Sequence, residues 1–120
     1  DLVADIRIAQ GDLLRGLKRE AEAMAAYSLV LTRHLDAGPP VMRALRRADE
    51  MLSEAQDGPR LLALYKHMWQ RMPQPQMSAM VPTTPWYAVG RRYAELLEMA
   101  GDRNNATNVR TRLATMVPQR

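Results

Sequence analysis

Apolar residues recur at steps of three and four in six separate stretches of this chain, and that rhythm selects helices over strands. The first stretch is Leu2, Ile6, Ala9, Leu13 and Leu17. The second is Ala23, Tyr27, Val30 and Leu31, and the third Met42, Leu45, Ala48 and Leu52. The fourth runs Leu61, Tyr65, Met68 and Met72, with Leu62 and Trp69 beside it. The fifth is Trp86, Val89, Tyr93, Leu96, Leu97 and Ala100, and the sixth Ala106, Val109, Leu113 and Met116. Each stripe is expected to turn one apolar face toward neighbouring helices.

Glycines and prolines punctuate the stripes where helices must stop. Gly38-Pro39-Pro40 divides the second from the third, and Asp57-Gly58-Pro59 the third from the fourth. Thr84-Pro85-Trp86 reads as a cap, a first-turn proline and a helix start. Gly101 suits a left-handed helix end, after which Asp102 can cap the sixth helix. The six helices thus group into three antiparallel pairs near 2–35, 40–72 and 85–117. The connection near 73–84 carries Pro73, Pro75 and Pro82. It is long for a helical array, so it is expected to be functional or mobile. Alanine, leucine, arginine and glutamate abound, β-branched residues are sparse, and the composition also favours an all-α fold.

With 120 residues and 47% hydrophobic content, one domain over 1–120 is the expectation. Cysteine is absent, which removes disulfides and thiolate-held zinc. No apolar run approaches the roughly 18 residues of a membrane span. The chain begins at Asp1, so it reads as an excised fragment of a larger protein or a mature form, from which any targeting peptide would be missing.

In the third pair Ala94 holds a small position of the first helix, Gly101 the turn, Ala106 a small position of the second helix, and Pro118 closes the unit. This pattern resembles the tetratricopeptide repeat (TPR). The first pair is similar: Gly11 is the small residue, Leu14 the next core position, Ala23 the small residue opposite and Tyr27 the aromatic, with Lys18 where a turn glycine is expected. The middle pair matches at Tyr65 and Pro73 but has Asp49 and Leu61 at its small positions, and Arg110 replaces the aromatic of the third. The resemblance implies an α-α superhelix, a solenoid of three stacked pairs whose first helices line a groove for a protein or peptide. Carried over residue by residue, that groove presents Ile8, Asp12 and Arg15, then Arg43, Arg46 and Glu50, then Arg91, Glu95 and Glu98. Mixed charge with several arginines favours an acidic or amphipathic peptide. The lysine-and-asparagine clamp of some tetratricopeptide domains is not at these positions.

No constellation points to catalysis, a cofactor or a metal. His34 and His67 fall in different pairs, outside any H-E-x-x-H spacing. Asp49, Glu50, Glu54, Glu95 and Glu98 share polar faces with arginines and read as ion pairs. No phosphate-binding glycine loop or nucleophile elbow is present. Met68, Met72, Met77 and Met80 surround Trp69, and thioethers suit Cu(I), yet two of them continue a core stripe. The net charge of +4 is uneven, −2 over residues 1–58 and +6 over 59–120. A basic second half makes nucleic acid the alternative partner, although Arg60, Lys66, Arg71, Arg91, Arg92, Arg103, Arg110 and Arg112 are scattered among helices. A segment that only spaces or dimerises larger domains is the remaining alternative.

Overall fold

The computed structural model describes residues 2–35 and 38–118. The fold is all-α: α1 (Leu2–Gly16), α2 (Glu20–Arg33), α3 (Pro39–Glu54), α4 (Gly58–Arg71), α5 (Pro85–Met99) and α6 (Arg103–Thr115), with a single 3-10 turn at Val81–Thr83. No strand occurs among the described residues. The helices fall into two compact units, 1–57 and 58–120, so the expected middle pair has its first helix in one unit and its second in the other.

In the first unit α2 packs on α1, and α3 packs against both. The closest approach is at Gly11. A Cβ there would lie 2.5 Å from Cε1 of Tyr27, so only glycine leaves room for the buried ring. This contact decides which way α1 faces. Ala4, Ile8 and Gly11 turn inward, and the expected stripe, Leu2, Ile6, Ala9, Leu13 and Leu17, points outward. Both faces have helical spacing. The face with small residues won because it lets α2 come close.

In the second unit α5 lies between α4 and α6, and the 3-10 turn packs on α5. Gly90 plays the part of Gly11: a Cβ there would sit 2.5 Å from Trp69 and 2.6 Å from Leu113. Trp69 stacks on Trp86 at 5.0 Å and leans on Tyr93 at 6.4 Å. The connection 73–84 is tied down at several points. Val81 is fully buried, and the Ser78 N–H donates to the Met116 carbonyl at 3.3 Å. Met68 is core and Met72 half-buried, whereas Met77 and Met80 are exposed.

One turn ends α1, α3 and α5 alike. Lys18, Gln56 and Gly101 are left-handed, with φ of 60°, 54° and 86°. Their N–H groups donate to Arg15, Ser53 and Glu98, three residues back. The N–H groups of Arg19, Asp57 and Asp102 donate to Leu14, Leu52 and Leu97, five residues back, at 2.9, 2.9 and 2.8 Å. This paired pattern is a Schellman motif, which satisfies carbonyls the helix end leaves open. Five residues beyond each left-handed position stands a buried residue: Ala23, Leu61 and Ala106. The caps expected at the third pair are present, since the Thr84 hydroxyl accepts from the Tyr87 N–H and the Asp102 carboxylate from the Asn105 N–H.

Candidate partner-binding surface

Burial removes one of the nine candidate groove residues. Ile8 is 4% exposed and belongs to the core between α1 and α2, so it presents nothing to a partner. Sequence spacing put it beside Asp12, but the inward turn of Gly11 carries Ile8 in with it.

Asp12, Arg15, Arg43 and Glu50 are brought together where α1 meets α3. Arg15 donates to Glu50 at 3.0 Å and to Glu54 at 3.1 Å. Arg47 donates to Asp12 at 2.6 Å, and Arg43 pairs with Asp5. The result is a ladder of opposite charges between the two helices. Its side chains keep 27–72% of their surface in water, so each rung is worth about 0–1 kcal/mol. The ladder fixes how the helices register more than it holds them. Asp5, Arg47 and Glu54 were missed as members. The signal for Arg47 and Glu54 was their i+4 spacing from Arg43 and Glu50 on α3.

Asp12 has a second partner. The Tyr27 hydroxyl donates to the same oxygen as Arg47, at 2.5 Å. Burial first, and then Asp12 itself, push the Tyr27 hydroxyl well above its ordinary range, so it stays a donor. A buried aromatic thus anchors an exposed carboxylate from below. Arg46 lies on the exposed side of α3.

The other three candidates belong to α5 in the second unit. Glu95 accepts from Arg92 at 2.9 Å, and Glu98 from Arg110 at 2.5 Å. Arg91 is exposed. Together with Tyr87, Arg110, Leu113 and Ala114, Arg91 and Glu95 line a shallow recess of about 330 Å³.

A larger groove of about 530 Å³ opens between α4 and α6, with Lys66, Trp69, Asn105, Asn108 and Arg112 among its walls. Trp69 is not a free platform there. One face meets Trp86, and the Arg112 guanidinium stands over the ring at 5.3 Å, held by two hydrogen bonds to Gln74 at 3.0 and 2.6 Å. Trp86 itself is buried. Three of the cations that make the second half basic, Arg92, Arg110 and Arg112, are therefore bound to groups of the chain itself.

Among the described residues no cluster of three or more His, Asp or Glu could hold a metal ion. Among the described residues no helix is long and apolar enough to cross a membrane. His34 ends α2 with its N–H on the Val30 carbonyl. His67 Nε2 is buried with no hydrogen-bond partner among the described residues, and burial, then Arg71, lower its pKa. Comparison of the chain with family models, with curated proteins and with solved structures finds no match.

Proposed function

We propose that this chain is a protein–protein interaction module of tetratricopeptide-like helix pairs, which holds a peptide or partner domain on a charged face of its first helices and catalyses nothing. The observation that carries this reading is the single turn that closes α1, α3 and α5 in one register. Repeated helix hairpins stack and leave an extended surface for a partner. On the first unit that surface is the open side of α1 and α3, where Asp12, Arg15, Glu50 and Arg46 sit on a rigid, glycine-fitted base. A partner with its own acidic groups can exchange for Glu50 and Glu54 on Arg15, and Arg46 adds a second cation. Bidentate arginine–carboxylate pairing supplies the selectivity.

The test is a peptide library immobilised on a surface and probed with the labelled chain at low and physiological salt. Acidic or amphipathic peptides are expected to be retained, with weaker retention as salt rises. Arg46→Glu should lose them, and Arg91→Glu should lose any that also engage the second unit. Retention of the same peptides by both variants, or of none by the parent chain, refutes the reading.

A further inference from the structure

Two cations stand on opposite walls of the groove between α4 and α6, which lies wholly within residues 58–120. On α4, Leu62, Lys66 and Trp69 follow one another at steps of four and three, so they share one face. On α6, Asn108 and Arg112 are four apart and line the other wall, and the buried Leu97 of α5 lies beneath. Among the described residues neither cation meets a carboxylate. Lys66 and the Asn108 side chain have no hydrogen-bond or ion-pair partner there. Arg112 donates through Nε and Nη2 to the Gln74 carbonyl oxygen, a neutral acceptor, and its guanidinium lies over Trp69. Those contacts fix its plane, leave its charge whole and leave Nη1 open. Arg92 and Arg110 of the same unit instead meet Glu95 and Glu98. Asp102 also borders the groove, but its oxygens accept from the Asn105 backbone N–H at 3.3 Å and from Asn105 Nδ2 at 2.7 Å.

We infer that this groove takes an extended segment of a partner protein by one acidic side chain, whose carboxylate bridges Lys66 and Arg112 while a neighbouring apolar side chain rests on Leu62. Charge complementarity names the carboxylate: its planar pair of oxygens fits the open edge of a guanidinium already held in place, and Lys66 adds the second charge. Asn108 names the extended backbone. Its amide offers both a donor and an acceptor, and an extended segment has free N–H and C=O groups to meet them, whereas a helix has used its own. The site is separate from the charged face of the first helices. Arg46 belongs to the other unit, and Arg91 lines a different recess.

The probe is a six-residue peptide of alternating leucine and glutamate, blocked at both ends and titrated into the isotope-labelled chain. Its control carries glutamine for glutamate. Backbone resonances around Lys66 and Asn108 should shift with the acidic peptide. The control should bind about tenfold more weakly, as expected when a charge-assisted hydrogen bond is lost. Lys66→Gln and Arg112→Gln should each weaken the acidic peptide by a similar factor. Both residues are exposed, so both variants should keep the parent's resonance dispersion. Arg46→Glu and Arg91→Glu should leave binding unchanged, which separates this groove from the charged face. The inference is overturned by equal binding of the two peptides, by shifts confined to other surfaces, by indifference to Lys66→Gln and Arg112→Gln, or by no binding to the parent chain. Binding that requires an unblocked carboxy terminus also overturns it, by making a chain end the occupant.

Discussion

At Gly11 and Gly90 a missing side chain decides how two helices meet. Gly11→Ala and Gly90→Ala each push a methyl group into a packed ring, so each should destabilise the chain by about 1–3 kcal/mol in denaturant unfolding followed by circular dichroism. Lys18 and Gln56 present the opposite case. Both hold a left-handed backbone that costs a non-glycine residue about 1–2 kcal/mol, and the entropy of a glycine returns part of any gain. Lys18→Gly and Gln56→Gly should therefore stabilise by about 0.5–1 kcal/mol, while Gly101→Ala should lose about 1 kcal/mol. His67 supplies a pH dependence. Its folded pKa lies below the unfolded value, so the unfolded chain takes up a proton first as pH falls. Stability is full above about pH 7 and declines as pH drops through the ordinary histidine range near 6.5. His67→Gln should flatten that part of the curve in unfolding midpoints measured from pH 7.5 to 5.

At the scale of the helix, what the sequence revealed depended on how many faces were apolar. The core stripes of α3, α4, α5 and α6 were legible because each has one apolar side and a polar opposite. α1 has two sides of equal spacing, Ala4-Ile8-Gly11 and Leu2-Ile6-Leu13, and counting apolar residues favours the wrong one. Only the fit of Tyr27 against Gly11 settles the choice, and that is a property of two helices together. Ile8 was misplaced on the candidate face for the same reason. The caps at Thr84 and Asp102 and the left-handed Gly101 were legible from local chemistry alone. The left-handed turns at Lys18 and Gln56 carry no glycine to announce them. The α1–α3 ladder yields a prediction at this scale. Arg15→Ala removes two exposed rungs and should cost less than about 1 kcal/mol, with the difference from the parent fading in high salt. A large, salt-insensitive loss would mean that the ladder is a main support of the first unit.

For the whole molecule, the charge asymmetry of the sequence translates into two different surfaces. The first unit balances its carboxylates and arginines against each other across α1 and α3. The second has few acids, and its arginines turn to glutamine, indole and two glutamates. Both tryptophans belong to residues 58–120, one stacked on the other, and the first unit has none. Intrinsic emission is therefore a reporter for half of the polypeptide. Arg112→Ala should alter it by uncovering the Trp69 ring, whereas Gly11→Ala should leave the native spectrum unchanged while lowering the ellipticity midpoint. A guest that settles on Asp12 and Arg46 meets no indole within its own unit, so a lamp tuned to tyrosine, or a dye placed near residue 46, is the direct way to see it arrive.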